Sequence, residues 1–473
     1  MQRMSGMDAA FLYLETPTVH MHVVGVVVID PTGVPGGVGI KDILGLLEER
    51  IHLIPPLRRR VVAPPAGIDH PLWIEDPDFD LVHHVFSAPF VGPVTWSQLE
   101  GFTGEIASRP LDRSRPLWEM WVVEGMEDGS VAFVTKLHHA IMDGAAGGDL
   151  MASMFDLTSE RGSVAPPAEP WVPDTVPSKS AQVVGSLASF AARQKSAPRA
   201  LGRTLGNVVG SAETWFSQRA AGTAAPLTAP KTALNGALSA QRSVSLVKVD
   251  LDQVKEIRAA FGTKVNDVVL AATATALRGS LLSRGELPKS PLVAAVPVNV
   301  RSDGDAGEEE LGNRVSNMMV LLPLEPDDPV ERLQIVHRNT QSSKALHSAF
   351  GTESLQDLTG FTAPSIVAGG AKLYSRLKLA RYHRPMSNTI ISNVPGPPID
   401  LYCAGALVTG IFPMGPVMEG IGVNVTVLSE ARHLNVGVMA CPDLVPDVGA
   451  IGAGFVSAVD ELLVLARKAK AHR

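Results

Sequence analysis

The stretch Val131–Gly144, VAFVTKLHHAIMDG, combines an alternating apolar run with two adjacent histidines, an acid and a glycine. Successive side chains of a β-strand point to opposite faces, so a strand through this run separates His138 from His139. Neighbouring histidines on opposite faces do not easily bind one metal ion, so no metal site is expected. His139 falls on the more apolar face, which favours a neutral imidazole. The pattern therefore predicts a strand that delivers one histidine base.

The residues after the histidines favour a tight turn. Asp143 can accept hydrogen bonds that hold the loop, and Gly144 permits a close backbone approach. A second histidine pair at His83 and His84 has Ala88 and Pro89 in the corresponding positions. We therefore interpret Asp143 as a structural orienter, Gly144 as the turn residue, and the second pair as structural.

Composition excludes several classes of protein. The chain has 473 residues, 45% of them hydrophobic, and a net charge of -7, which disfavours nucleic-acid binding. Its two cysteines, Cys403 and Cys441, are too few for a disulfide scaffold, so reduced thiols in the cytoplasm are expected. The N-terminus lacks the apolar core of a signal peptide. The apolar segment Gly449–Ala466 is interrupted by two acids, which predicts an amphipathic helix and no membrane span.

Helix and strand patterns alternate in both halves of the chain, which predicts an α/β (α+β) fold with two lobes. The segment Gly162–Ser180 is rich in proline and reads as a linker. We accordingly assign residues 1–160 to an N-terminal lobe, 161–240 to a linker and crossover, and 241–473 to a C-terminal lobe.

The crossover contains a basic amphipathic stretch, Ala181–Ala221, with five Arg or Lys residues and Glu213 as its one acid. Such a stretch can lie in a membrane interface. Helices packed on the protein's own surface fit the same composition. Both interpretations remain open.

The residues His138–Gly144 form the pattern HHxxxDG, in which x is any residue. Two further motifs accompany it: RPLWEMWVVEG at Arg115–Gly125 and KVNDVVLA at Lys264–Ala271. With MDAAFLYLE, LGNRVSNMMVLLP and ISNVPGPP, they resemble the bacterial wax ester synthase/diacylglycerol acyltransferase family over nearly the whole chain. That family belongs to the HHxxxDG superfamily of chloramphenicol acetyltransferase and peptide-synthetase condensation domains. One departure is Ser5-Gly6-Met7-Asp8, where the family usually has Ser-Pro before the Asp.

The resemblance implies two chloramphenicol-acetyltransferase-like lobes with mixed sheets and a tunnel between them. It also implies that His139 is the general base, with His138 in support, and that acyl-CoA is a co-substrate without any further cofactor. Asn266 is a candidate oxyanion donor, but Asn266 and Asp267 equally allow a structural role. Their position after Thr263, at the start of a helix, favours capping.

Similarity to the condensation domains implies an arginine partner for Asp143. Arg58 and Arg60 share one face if the triplet is a strand, so either is a candidate, whereas Arg59 points elsewhere. For Pro116, Leu117 and Trp118 we favour core packing at the start of a strand over substrate contact.

The resemblance implies transfer of a long-chain acyl group to diacylglycerol and, as a weaker preference, to fatty alcohols. We expect a cytoplasmic enzyme bound peripherally to the inner membrane or to lipid droplets. One alternative is a condensation-type enzyme that takes acyl groups from a carrier-protein thioester, and the absence of an adjoining carrier domain disfavours it. The other is a non-catalytic lipid-surface protein, which the intact His139 and Asp143 disfavour.

Overall fold

Two six-stranded mixed sheets and one small sheet form the fold in the computed structural model, which describes residues 1–67, 69–141, 151–186, 189, 224, 227–299, 315–349 and 364–471. The strands are β1 (Gln2–Arg3), β2 (His22–Asp30), β3 (Arg59–Val62), β4 (Leu72–Glu75), β5 (Val85–Ser87), β6 (Trp118–Val123), β7 (Val131–His138), β8 (Ser243–Asp250), β9 (Leu292–Asn299), β10 (Val315–Leu322), β11 (Thr389–Pro395), β12 (Tyr402–Cys403), β13 (Ala406–Met414), β14 (Val423–Ser429) and β15 (His433–Ala440).

Helices cover these sheets. They are α1 (Gly6–Leu14), α2 (Ile40–Arg50), α3 (Trp96–Ala107), α4 (Leu251–Phe261), α5 (Val265–Ser283), α6 (Pro329–Ala349), α7 (Pro364–Arg376) and α8 (Val448–Ala471). Local signals set their starts: the Ser5 hydroxyl accepts a hydrogen bond from the Asp8 amide at α1, and Thr95 and Gln98 cap α3 reciprocally.

The first large sheet has the order β12-β13-β2-β7-β6-β5, and the second has the order β10-β9-β11-β14-β15-β8. Most neighbours are antiparallel, but β5 runs parallel to β6, and β11 runs parallel to both β9 and β14. The predicted α/β fold with mixed sheets is confirmed.

The first sheet contains strands from both ends of the chain. In β13, Leu407 pairs with Asp30 and Met414 pairs with Val24, so residues 402–414 complete the sheet that carries β7. The predicted N-terminal lobe, 1–160, therefore does not form the first sheet alone, because β12 and β13 come from the range 241–473. Alternation of buried residues identifies β13 as a strand, but it carries no information about the sheet in which that strand pairs.

A hydrophobic cluster joins the two halves of the molecule. It combines Val134 of β7 and Phe102 of α3 with Leu246 of β8, Phe412 of β13 and Met439 of β15. Since these side chains come from both large sheets, burial of one shared core fixes the sheets relative to each other.

The C-terminal helix α8 is, among the described residues, the one helix long and apolar enough to cross a membrane. About 44% of its most apolar window is buried inside the protein, and Ile451, Phe455 and Leu462 belong to the core of the second lobe. Its apolar face therefore packs on the second sheet, as expected for an amphipathic helix.

Gly437 marks the closest approach of β15 to β13. A Cβ there would lie 2.4 Å from the Pro413 carbonyl oxygen and 2.6 Å from Met414 Cγ. We predict that Gly437→Ala lowers the free energy of unfolding by about 1 to 3 kcal/mol, because the packed strands must separate. Chemical denaturation monitored by circular dichroism measures this change.

Gly279→Ala is the matched control for Gly437→Ala. A Cβ at Gly279, in the exposed face of α5, meets nothing within 4 Å. This substitution should raise the free energy of unfolding by up to about 1 kcal/mol, because alanine favours helix. Equal effects of the two substitutions would contradict the close approach of β13 and β15.

Candidate active site

The histidine pair lies at the end of β7, next to the start of β2. His138 pairs with His22 across the two strands, and the backbone N–H of His139 donates to the Met21 carbonyl at 2.8 Å. The strand pairing therefore continues one residue beyond β7 and fixes the position of His139.

The two imidazoles have different surroundings. The His138 side chain lies with His22 and Lys136, whereas the His139 ring stacks on Phe11 of α1 with centroids 4.0 Å apart. His139 is partly exposed, but its Nδ1 atom is buried without a hydrogen-bond partner among the described residues. Burial lowers the pKa of His139 to about 4, so the ring is neutral at pH 7.

His138 stabilises the turn that carries its neighbour. Its Nδ1 atom accepts a hydrogen bond from the Ala140 amide at 3.0 Å, and its Nε2 atom lies 3.5 Å from Glu15 Oε2. Because Nδ1 accepts, the proton of the neutral ring is on Nε2, which faces the carboxylate. Burial lowers the pKa of His138, and Glu15 opposes this shift.

Glu15 connects His138 to Arg113. Burial alone would raise the pKa of Glu15, but the neighbouring His138 ring and the positive charge of Arg113 outweigh it and lower the pKa. The carboxylate is therefore ionised at neutral pH and pairs with the Arg113 guanidinium. This chain of contacts links the turn after β7 to the end of α1 and to the loop that precedes β6.

A fully buried lysine supports the same strand. Lys136 Nζ lies 2.6 Å from Glu119 Oε1 and donates to the carbonyls of Ile106 and Arg109 at 3.0 Å each. Burial lowers the pKa of Lys136, and Glu119 opposes the shift. His22, on the neighbouring strand, has a pKa well below its ordinary value because burial disfavours its charged form.

The rings of His20, His22 and His138 lie next to one another and are called the histidine cluster below. A cavity of about 650 Å³ opens between the two halves of the chain beside this histidine cluster. Glu15, His20 and Arg113 line one side, and Ala240 with Ala368 and Lys372 of α7 line another. Polar groups of the histidine cluster therefore meet a space large enough for part of an extended ligand. His139 is not among the residues that line it.

Asp143, Gly144 and most of Ala181–Ala221 lie outside the described residues. The candidate partners of Asp143 were chosen on the assumption that Arg58, Arg59 and Arg60 form a strand. This assumption is wrong, because Arg58 ends a 3-10 turn and the strand β3 begins at Arg59. Arg58 lies 3.9 Å from Glu75 and 5.3 Å from the Trp171 ring centroid. Arg60 lies 3.3 Å from Asp76. Both candidate arginines therefore have described partners other than Asp143.

Asn266 and Asp267 lie at the start of α5. The Asp267 carboxylate accepts from the Lys264 amide at 2.9 Å and lies 2.6 Å from His337 Nδ1. Asn266 Oδ1 accepts from Asn393 Nδ2 at 3.3 Å, which links the helix to β11. Asp267 thus caps the helix through the Lys264 amide, and both side chains have structural partners.

Leu117 and Trp118 pack in the core of the first lobe, directly after Pro116. Trp118 Nε1 donates to the Leu57 carbonyl at 2.7 Å, and the ring stacks on His84 with centroids 4.6 Å apart. Since His84 Nδ1 also contacts the Trp118 carbonyl at 2.8 Å, the second histidine pair contributes a packed core residue.

Other reactive groups offer little in the described part of the chain. No group of three or more His, Cys, Asp or Glu residues there is arranged to hold a metal ion. Cys403 and Cys441 are buried thiols, and burial raises the pKa of Cys403 to about 12. A thiol with so high a pKa is a poor nucleophile at neutral pH.

Sequence reasoning did not assign Glu15 and Arg113 to the site. Glu15 follows α1 directly, and Arg113 lies in the loop between α3 and β6, so the two are 98 positions apart. The only local signal was Glu15 at the end of the quoted MDAAFLYLE motif. No sequence pattern pairs that acid with Arg113, because their contact depends on the packing of α1 beside β7.

Comparison with solved structures identifies the fold. A wax ester synthase/diacylglycerol acyltransferase from Marinobacter aquaeolei VT8 is similar over 98% of this chain and 100% of its own, with a TM-score of 0.67 and 24% identity. The starter condensation domain of rhizomide synthetase, in complex with C8-CoA and Leu-SNAC, is similar over 98% and 94% of the two chains, with a TM-score of 0.55 and 15% identity. The fold is that of the two-lobe acyltransferases.

The family follows from the sequence comparisons. The model of the wax ester synthase/diacylglycerol acyltransferase catalytic domain matches residues 4–269, and that of the WS/DGAT C-terminal domain matches residues 311–463. Two Mycobacterium tuberculosis H37Rv proteins that carry the name diacylglycerol O-acyltransferase are 35% and 34% identical, over 98% and 97% of this chain and 90% and 95% of their own lengths. The chain belongs to the wax ester synthase/diacylglycerol acyltransferase family and is an acyltransferase.

Glu15→Gln tests whether the contacts of Glu15 with His138 and Arg113 stabilise the turn after β7. The substitution keeps the shape of the side chain but removes the charge that faces Arg113 and His138. We predict a loss of about 1 to 2 kcal/mol in the free energy of unfolding, measured by chemical denaturation.

Glu105→Gln is the matched control, because Glu105 forms an exposed pair with Arg109 within α3. Its effect should stay below about 0.5 kcal/mol. A Glu15→Gln effect as small as the control would show that the buried contact does not hold the turn.

Proposed function

We propose that this enzyme transfers a long-chain acyl group from acyl-CoA to the hydroxyl of diacylglycerol, with fatty alcohols as a second class of acceptor. The observation that carries the proposal is the uncharged His139 ring, partly exposed at the end of β7 in a chain of this family. A neutral imidazole can accept a proton, which an alcohol must lose to become an effective nucleophile.

The proposed reaction needs one base and no cofactor. The acceptor oxygen attacks the thioester carbonyl while His139 takes the hydroxyl proton. Attack forms the C–O bond of a tetrahedral intermediate, and its collapse restores the carbonyl and breaks the C–S bond. The CoA thiolate leaves and takes up the proton from His139, which returns to its neutral form. Such general-base catalysis contributes about 10² to 10⁴ in rate.

A direct transfer does not require a covalent acyl-enzyme. The raised pKa of the buried Cys403 thiol supports this part of the proposal, since that group would be a weak nucleophile. An intact mass spectrum after incubation with palmitoyl-CoA alone should contain no acylated protein.

Peripheral association with the cytoplasmic face of the inner membrane or with lipid droplets is part of the proposal, because both lipid acceptors partition into such surfaces. Co-sedimentation with phospholipid vesicles tests this association, and a protein that stays entirely in the supernatant would contradict it.

The base assignment predicts different results for the two histidines. With palmitoyl-CoA and either diolein or hexadecanol, His139→Ala should reduce the release of free CoA by about 10² to 10⁴. His138→Ala should retain a measurable fraction, because His138 acts through the turn and not on the proton. His83→Ala, in the exposed half of the other histidine pair, is the control and should match the wild type.

The reverse order of His138→Ala and His139→Ala would contradict the assignment of the base. No CoA release with any alcohol would contradict the proposed reaction. In that case, release with an amine or with a carrier-protein thioester would favour condensation chemistry, and none at all would favour a lipid-surface protein.

The pH dependence of the reaction tests the same residue. A base with a pKa of about 4 is deprotonated above pH 5, so kcat/KM should stay level from pH 8 to pH 5 and fall at lower pH as His139 becomes protonated. Activity after a return to pH 7 controls for acid unfolding. An acid limb near the ordinary histidine value of about 6.5 would contradict the neutralising effect of burial.

A further inference from the structure

The helix α7 and the segment that follows it carry an unusual number of exposed apolar side chains. We define the α7 surface as residues 366–386. Its exposed apolar residues are Ile366, Leu373, Leu377, Leu379, Tyr382 and Met386, which leave between 36% and 77% of their area open to solvent. Clustered apolar exposure of this kind marks an interaction site.

The geometry of α7 turns its apolar stripe outward. At about 100° per residue, Leu373 and Leu377 lie within about 20° of Ile366, and Ser375 lies about 180° away. Ser375 is the buried residue of this set, and its Oγ contacts the Thr18 hydroxyl at 2.7 Å. Ser375 thus makes a polar contact on the inner face, while Ile366, Leu373 and Leu377 form an apolar stripe that meets solvent, which a helix packed only on its own core would not expose.

The α7 surface is also strongly basic. Its exposed cations are Lys372, Arg376, Lys378, Arg381 and Arg384. The sequence from 364 to 399 contains no Asp or Glu, although the whole chain has a net charge of -7. None of the five cations forms an ion pair within the described residues. A local excess of positive charge without ion-pair partners attracts an anionic partner.

The α7 surface adjoins the cavity beside the histidine cluster. Ser365, Ala368 and Lys372 of α7 line that cavity together with Glu15. One helix thus separates the space next to the active-site residues from the exposed apolar stripe.

We propose that the α7 surface docks on an anionic phospholipid membrane. Leu373, Leu377 and Tyr382 would enter the interface between headgroups and acyl chains, and Arg381 and Arg384 would pair with lipid phosphates. This proposal rests on the proposed function, because it assumes a lipid acceptor. That acceptor would pass from the membrane to the cavity. A second copy of the chain fits this surface poorly, because symmetric pairing would bring ten cations together.

Vesicle binding by the full-length protein tests the proposal without acyl-CoA or turnover. The wild type should co-sediment with phosphatidylcholine vesicles containing phosphatidylglycerol, and more weakly with phosphatidylcholine alone or in high salt. Arg381→Gln with Arg384→Gln should weaken binding to the anionic vesicles more than tenfold, since each removed cation costs about fivefold. Leu373→Gln with Leu377→Gln should weaken it to a similar degree.

Matched controls remove the same chemistry elsewhere. Val82→Gln with Val91→Gln alters exposed apolar residues, and Lys468→Gln with Lys470→Gln removes exposed cations of α8. Both control pairs should bind within twofold of the wild type. The apolar and the cationic pairs are independent, so a folding failure of one, detected by circular dichroism, leaves the other as the test.

Several outcomes would overturn the proposal: a wild type that does not bind anionic vesicles, α7-surface variants that bind like the controls, or a lipid-free dimer that Leu373→Gln with Leu377→Gln dissociates.

Measurements of enzyme activity distinguish a failure of the docking proposal from a failure of the proposed function. The α7-surface variants should raise the apparent KM for diolein in anionic vesicles but keep the wild-type kcat with soluble dioctanoylglycerol. If the protein binds vesicles as predicted but releases no CoA, the proposed reaction is refuted and the proposed docking surface is supported.

Discussion

The pairing of β2 with β7 is the interaction on which the rest of the site depends. It places His138 opposite His22, and it continues through the hydrogen bond from the His139 amide to the Met21 carbonyl. Because the backbone of His139 is held by a neighbouring strand, the point from which its ring extends is fixed. The stack on Phe11 then defines which face of that ring stays accessible.

Burial and charge divide the work between the two histidines. Desolvation keeps both rings neutral at pH 7, and among the described residues a carboxylate, that of Glu15, lies 3.5 Å from His138. Glu15 thus orients the buried ring, whereas no described carboxylate contributes to the pKa of His139. A base with a pKa as low as 4 is a weak proton acceptor in water, so the proposed role of His139 requires a site that stabilises the imidazolium and oxyanion that form together.

The charge distribution of the molecule fits the proposed docking on an anionic membrane. A chain with a net charge of -7 has its basic, acid-free stretch on α7 and the segment after it, next to the cavity that Glu15 lines. Local charge of this kind acts over about a Debye length, so it can orient the enzyme on an anionic surface in spite of the overall negative charge. The proposed docking surface and the lining of the cavity then share the helix α7.

The sequence by itself determined the α/β class, the strand that ends in the histidine pair, the core role of Trp118 and the family, because each is written in local periodicity or a short motif. Tertiary structure alone decided that β13 completes the first sheet, that Arg58 and Arg60 pair with Glu75 and Asp76, and that Glu15 reaches His138. The physical reason is that alternation and spacing specify which face of an element is buried, whereas partners between distant segments are chosen by packing and charge in three dimensions.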